Sequence, residues 1–180
     1  PEVRRNDSVD LAAIDAAAEH DVLCLAPGVY SPFYTLDVHR PLTLAGPQAG
    51  VDPRPLADSP RTPGDELTEA IVDGQLYELG SLVLITSSDV VLDGLVIRNG
   101  SGDLVQSPTG PALSGVLLAN NVIHVSSGDE GVQLRSVISP VIENNHVFHT
   151  AGDGINVCCG SEDAATRHNE GHSSSSTNGA

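Results

Sequence analysis

Lysine, methionine and tryptophan are absent from this chain, and only five of its 180 residues are aromatic. A compact enzyme domain packed around large side chains uses more of these residues, so such a core is disfavoured. Glycine (18) and proline (12) are plentiful instead. This composition is typical of many short strands separated by turns.

Positive charge is also scarce, because eight arginines stand against 24 acidic residues and the formal net charge is −16. Such a chain repels phosphate groups, so we expect neither nucleic-acid binding nor attachment to anionic membranes. No apolar run reaches the length of a membrane-spanning helix, and no segment has the pattern of a signal peptide. The surplus of acids predicts a solvated acidic surface.

Cysteine is rare, and its three positions form no recognisable framework. Cys158 and Cys159 are adjacent, and Cys24 stands alone in the apolar run 22–25. An odd count with one adjacent pair fits neither a set of disulfides nor metal-ligand spacing. We expect Cys24 to be a small core residue.

The N-terminal half begins with a helical pattern. Ser8 is a suitable N-cap, and apolar residues recur at helical spacing after it, so residues 8–20 are predicted to form a short helix. Short strands separated by turns follow. The composition shifts to Pro, Asp, Arg and Gly over residues 47–68, which we interpret as an excursion loop.

The second half carries a period. Asn121, Asn145 and Asn169 are evenly spaced, and apolar residues recur three positions before and two positions after the first two of them. A period of about 24 residues with several short strands per unit predicts a solenoid over residues 81–180, whose last coil is incomplete and weak. An asparagine at a turn tolerates left-handed geometry, and stacked amides can bond one another along the column.

Three segments near the N-terminus, residues 11–17, 21–30 and 41–46, resemble the start of pectin-lyase-like β-helix proteins, especially the chondroitinase-B-like and alginate-lyase-like members. In that superfamily a short helix caps the open end of the solenoid, and a Pro-Gly-x-Tyr turn, here Pro27 to Tyr30, leads into the first full coil. The resemblance implies an all-β fold: one right-handed, single-stranded parallel β-helix domain over residues 1–180, capped by the helix at 8–20. It implies less about function, because the superfamily includes lyases, hydrolases, epimerases, adhesins and non-catalytic surface proteins.

Catalytic residues do not carry over from the resemblance. The related lyases use a lysine base, and this chain has no lysine. The Asp-Asp pair and Gly-His-Gly motif of the polygalacturonase type are not found, and no arginine lies in a run that matches the pectate lyases. Catalytic residues are therefore left unassigned.

Acidic residues form one candidate site. Asp129, which is followed by Glu130, and Asp153 each lie eight residues after a repeated asparagine, so we expect Asp129 and Asp153 to stack about 5 Å apart. Salt, a bound Ca²⁺ or a raised pKa on one acid would have to offset their repulsion. A raised pKa could support a two-carboxylate glycosidase. The alternative is that they are ordinary solvated turn residues.

A second candidate site lies three residues after the repeated positions, where Arg98, His124, Phe148 and His172 should form one outward column. Rings and a guanidinium in a flat row could stack on sugars, and His146 and Glu170 should line the same face. The alternative is a mixed solvent face with one exposed aromatic side chain.

These patterns favour an extracellular or cell-surface β-helix protein, a monomer whose partner is a polysaccharide or cell-surface glycan. Since the chain begins at Pro1 and stops within a repeat, we interpret it as a fragment. The alternative function is the N-terminal part of a polysaccharide lyase, hydrolase or epimerase.

Overall fold

The computed structural model describes residues 2–3, 11–55 and 61–172, and in these ranges the chain forms an all-β parallel solenoid of about six turns with one short helix, α1 (Leu11–Ala16). In chain order the first strands are β1 (Glu2–Val3), β2 (Asp21–Leu25), β3 (Gly28–Tyr30), β4 (Leu36–Val38), β5 (Leu42–Ala45), β6 (Ala70–Asp73), β7 (Ser81–Ile85), β8 (Val91–Asp93), β9 (Leu95–Gly100) and β10 (Asp103–Gln106). The remaining strands are β11 (Leu113–Ser114), β12 (Leu117–Ala119), β13 (Val122–Ser126), β14 (Val132–Arg135), β15 (Val137–Ile138), β16 (Val141–Glu143), β17 (His146–Thr150), β18 (Ile155–Cys158), β19 (Ala165–Arg167) and β20 (Glu170–His172).

Three parallel sheets run along the solenoid, and each complete turn contributes one strand to each. Sheet A has the order β1-β2-β5-β8-β12-β16-β19, sheet B the order β3-β6-β9-β13-β17-β20, and sheet C the order β4-β7-β10-β14-β18. The pairing of β12 with β16 and of β13 with β17 confirms the predicted 24-residue register. The parallel β-helix expected from the sequence is therefore confirmed.

Apolar side chains stack in columns inside the solenoid. In sheet A one column consists of Leu23, Leu44, Leu92, Leu118 and Ile142, none of which is more than 1% exposed. Burying each such side chain stabilises the fold by about 2 kcal/mol. The next residue in the column is Thr166, as expected for a weak last turn.

The repeated asparagines form an amide ladder at the corner between sheets A and B, in which Asn121 and Asn145 are buried and Asn169 is half-buried. The Asn121 backbone N–H donates to Asn145 Oδ1 at 2.9 Å, and the Asn145 N–H donates to Asn169 Oδ1 at 3.0 Å. The Nδ2 groups of Asn121 and Asn145 also donate to the Oδ1 atoms of Asn145 and Asn169, respectively, each at 3.0 Å. The predicted amide stacking is confirmed. The left-handed residue is instead the preceding one, with φ of 54° at both Asn120 and Asn144.

The helix is shorter than predicted. It ends at Ala16, whereas the spacing of apolar residues predicted an end at residue 20. The Ala18 N–H is bonded by the Asp21 carboxylate at 2.9 Å instead of a helical carbonyl, and His20 adopts a φ of 63° to start β2. Ile14, within the helix, is fully buried. The N-cap predicted at Ser8 lies outside the described residues.

Cys24 is exposed, so its prediction as a core residue was wrong. In β2 the inward positions belong to Leu23 and Leu25, and strand alternation turns Cys24 outward.

The described parts of loop 47–68 (residues 47–55 and 61–68) are anchored to the solenoid. Arg61 forms an ion pair with Glu69 at 2.8 Å, and both side chains are 0% exposed. The same guanidinium donates to the backbone carbonyls of Leu95, at 3.3 Å, and of Asn120. Gly94 has a φ of 70°, and a Cβ built there would lie 2.2 Å from the Ala49 nitrogen, so only glycine allows the loop to approach this closely.

Candidate functional site

An outward column of polar and aromatic side chains crosses sheet B. Pairing along β6, β9, β13 and β17 places Asp73, Arg98, His124 and Phe148 side by side. They alternate with the buried residues Val72, Ile97, Ile123 and Val147, so they point away from the core. The structure therefore brings the predicted residues Arg98, His124 and Phe148 together, and β20 places His172 at the next register position. We call Arg98, His124, Phe148 and His172 the ring column.

Phe148 is the centre of a group of stacked rings. Its ring lies 4.8 Å from that of His124 with an interplanar angle of 8°, and 4.4 Å from that of His146 at 35°. The His149 ring meets its edge at 5.0 Å and 72°. A flat apolar ring bordered by imidazole N–H and N groups offers both stacking and hydrogen bonding to a ligand.

A second apolar cluster lies outside the core, beneath loop 47–68. Ile71, Val96 and Val122 point outward from sheet B, yet each is at most 1% exposed, and Phe148 packs against them. The loop explains this burial, since Arg61 bonds the carbonyl of Leu95, which precedes Val96, and the carbonyl of Asn120, two residues before Val122. An exposed apolar cluster of this kind would otherwise favour aggregation.

The loop and the sheet enclose a groove of about 310 Å³. We call it the loop groove; the residues that line it are Pro53, Arg54, Pro55, Arg61, Pro63, His146 and Phe148. Its walls combine rigid proline rings with one aromatic face, and a small number of polar groups lie among them. This combination is typical of sites that bind small molecules.

Charge on the ring column is compensated internally. Arg98 Nε donates to Asp73 Oδ2 at 2.8 Å, and Asn99 Nδ2 donates to Asp73 Oδ1 at 2.9 Å. Although burial opposes ionisation, hydrogen bonds from Asn99, the Gln75 amide and Arg98 hold the pKa of Asp73 below its usual range. Arg98 is therefore a neutralised cation.

His124 is uncharged at neutral pH. Burial, the charge of Arg98 and the neighbouring His149 lower the pKa of His124 to about 4. A neutral imidazole has one donor and one acceptor nitrogen, which matches the donor and acceptor capacity of a hydroxyl group.

The predicted acidic site is arranged differently from the expectation. The carboxylate oxygens of Asp103, Asp129 and Glu130 lie within 4.8 Å of one another, and we call these three residues the acid cluster. Asp153 is not among them. Val132 pairs with Ile155, so this part of the coil is one residue shorter than the 24-residue asparagine period, and Asp153 comes opposite Glu130. The prediction that Asp153 stacks on Asp129 was therefore wrong.

Protons offset the repulsion within the acid cluster. Burial and the neighbouring Glu130 and Asp129 carboxylates raise the pKa of Asp103 to about 7. A hydrogen bond with Glu130, together with burial, raises the pKa of Asp129 to about 6. Although burial opposes it, hydrogen bonds from Asp129, Asp103 and Asn156 lower the pKa of Glu130. The cluster thus offers carboxyl protons beside an ionised carboxylate. Its oxygens are also the donor type that Ca²⁺ takes, although Ca²⁺ usually takes about six to eight ligands.

The raised pKa values in the acid cluster predict that the stability of the fold depends on pH. Because the folded-state pKa of Asp103 is raised, the fold holds a proton that the unfolded chain has lost, so stability falls as pH rises from about 4 to about 7. We expect Asp103→Asn to make the fall in unfolding free energy between these pH values smaller by on the order of 2 kcal/mol. The difference is no larger because Asp129 and Glu130 share the proton. Urea unfolding of both proteins at about pH 4 and about pH 8 measures the difference.

The matched control is Glu66→Gln, which removes an exposed carboxylate and should leave the wild-type pH slope unchanged. Equal slopes for wild type and Asp103→Asn would contradict the shared-proton interpretation. A Ca²⁺-dependent gain in stability at about pH 8 that is confined to the wild type would show that a cation replaces the proton.

Some exposed side chains were not predicted as site residues. The prolines that line the loop groove belong to no strand of sheet B, and their sole sequence signal was the high proline content of residues 47–68. Phe33 is 70% exposed and stacks on Tyr77 with centroids 5.7 Å apart. These aromatics lie outside the periodic part of the sequence, so the repeat did not indicate them.

Comparison of the chain with protein-family models, curated proteins and solved structures found no match. Within the described ranges, no helix has the length and apolar character needed to cross a membrane.

Proposed function

We propose that this chain is a glycan-binding segment of a secreted or cell-surface β-helix protein, related to the pectin-lyase-like superfamily, with the loop groove as its binding site. The observation that carries the proposal is the Phe148 ring, which packs against the imidazole rings of His124 and His146 and shares the groove with the proline wall. Sugars present apolar C–H faces and rings of hydroxyls, and a half-exposed aromatic ring beside donor and acceptor nitrogens complements both.

The scaffold supports this role. The ring column lies on sheet strands and the opposite wall is anchored by a buried ion pair, so the groove is formed before a ligand arrives. A pre-formed site loses little conformational entropy on binding. An extended ligand would run along the column, from one strand to the next.

Removing the Phe148 ring should weaken glycan binding. Phe148→Leu keeps an apolar side chain against Ile71, Val96 and Val122, so the fold should persist while the stacking surface is lost. We expect the dissociation constant for a bound oligosaccharide to rise about tenfold to a hundredfold. Isothermal titration calorimetry with a hit from a glycan array measures the change.

Phe33→Leu is the matched control, because it removes another exposed aromatic ring that stacks on Tyr77 rather than on the ring column. We expect unchanged affinity. Equal losses in both variants would indicate unspecific adsorption to aromatic side chains, and an unaffected Phe148→Leu would place the site elsewhere.

A second candidate function is an enzyme of the polysaccharide lyase, hydrolase or epimerase type. The acid cluster favours it, because Asp129 can supply a proton beside the ionised Glu130. Release of shorter saccharides by the wild type, lost in Asp129→Asn, would establish the enzyme. Binding without any product would favour the non-catalytic glycan-binding function.

A further inference from the structure

The charges around the loop groove indicate which glycans it accepts. We infer that its ligand is an uncharged oligosaccharide of pyranose sugars, and that polymers of uronic acids are rejected. The inference rests on the proposed function and specifies its ligand class.

The arginines at the groove and the ring column are all bound to acids. Arg54 Nε contacts both carboxylate oxygens of Asp52, at 3.0 and 2.9 Å. Arg61 is paired with Glu69, and Arg98 is paired with Asp73. A uronate carboxylate would have to share an arginine with its internal acid, so two like charges would lie close together at a partly buried site, which is unfavourable.

The other arginines of the described ranges lie elsewhere. Arg40 lies two residues before β5 of sheet A, Arg135 ends β14 of sheet C, and Arg167 on sheet A is paired with Glu143. None of these three is on sheet B.

The remaining polar groups at the groove suit hydroxyls rather than carboxylates. His124 in the adjoining ring column is neutral. The hydrogen bond with Asp52 raises the pKa of the Arg54 guanidinium, and the charge of Glu170 on β20 adds to this effect. The net charge of −16 adds a long-range repulsion of anions. A hydroxyl-rich neutral ligand avoids both the crowding of acids at one arginine and the long-range repulsion, and it keeps the stacking on Phe148.

The experiment compares two panels of ligands on the purified chain at about pH 8, where ordinary histidines are uncharged. One panel contains hexasaccharides of glucose, xylose, mannose and galactose, and the other contains hexamers of galacturonate, mannuronate and guluronate. Calorimetry at low and high ionic strength gives each affinity. We expect at least one neutral hexasaccharide to bind with little salt dependence, and each uronate hexamer to bind at least about tenfold more weakly.

A variant should reverse the selection. Asp73→Asn keeps an oxygen that can accept from Asn99 and the Gln75 amide, but it leaves the Arg98 guanidinium without a counter-charge. We expect its affinity for uronate hexamers to rise at least about tenfold, in a salt-dependent manner. Asp52→Asn releases Arg54 in the same way at a more exposed position, so it serves if Asp73→Asn does not fold. The matched control is Glu143→Gln, which releases Arg167 on sheet A and should not change uronate affinity.

The outcomes separate the two proposals. Uronates that bind the wild type as tightly as neutral sugars would overturn the inference while the proposed function stands, and so would a released arginine that gains no uronate affinity. Failure of both panels to bind the folded wild type would overturn the proposed function, and the inference with it.

Discussion

Asn145→Ala should destabilise the solenoid by about 4 kcal/mol, a large part of the stability of a typical domain. The side chain is 0% exposed. Its oxygen accepts from the Asn121 backbone N–H at 2.9 Å, and its Nδ2 donates to the Leu118 carbonyl at 2.9 Å. Alanine leaves both backbone groups buried without these partners, and each such group costs about 1–3 kcal/mol.

Urea unfolding followed by circular dichroism measures the loss, because the chain has no tryptophan to report by fluorescence. The matched control is Asn156→Ala on sheet C, where the half-buried amide makes one long bond of 3.3 Å to Glu130. That variant should lose less than about 1 kcal/mol. Equal losses in the two variants would mean that the amide ladder contributes nothing special. Faster hydrogen exchange at the Asn121 amide in Asn145→Ala would locate the effect at the ladder.

The amide ladder also explains why the fold could be predicted from the sequence. Stacked coils must repeat a buried polar corner at the same position, and only a side chain with both donor and acceptor atoms can continue such a ladder. The asparagine period therefore reports the coil length directly. Leu118 and Ile142 then follow as inward residues by counting along each strand.

The acidic site could not be predicted in the same way. Turns between coils vary in length without disturbing the stacked strands. Here a turn one residue shorter places Asp153 opposite Glu130 instead of opposite Asp129. Asp103 joined the cluster from the previous turn through its bond with the Glu130 amide, at 3.1 Å. A sequence period locates residues on strands, whereas residues in turns are located by the local backbone.

The loop side of the groove could not be predicted from the sequence either. Arg61 and the loop prolines belong to no repeat, and their position over sheet B depends on contacts between residues far apart in the chain. The ring column was predictable because strand alternation places Arg98, His124 and Phe148 outward. The groove that it shares with the loop was not. The proposed function thus depends equally on a periodic surface and on one non-periodic insertion.

Arg61→Met should have the second large effect, about 4 kcal/mol of lost stability, because it leaves the Glu69 carboxylate buried without its cation. Burial already raises the pKa of Glu69 despite the ion pair with Arg61. Without Arg61, the carboxylate must either take up a proton or reach water, and reaching water requires the loop to leave sheet B. Ile71, Val96 and Val122 would then become exposed. We expect increased binding of an apolar dye, faster proteolysis within residues 47–68, and loss of glycan binding.

Arg167→Met tests whether burial of the ion pair causes the large loss of stability expected for Arg61→Met. Its ion pair with Glu143 has a similar length, 2.6 Å, but the arginine side chain is 58% exposed. Exposed pairs contribute about 0–1 kcal/mol, so this variant should unfold almost like the wild type and retain its loop. The double variant Arg61→Met/Glu69→Leu removes the buried charge and should recover part of the lost stability. Glycan binding should stay weak in it, because the Leu95 and Asn120 carbonyls still lack the guanidinium that holds the wall in place. Recovery of full binding would mean that apolar packing alone positions the loop.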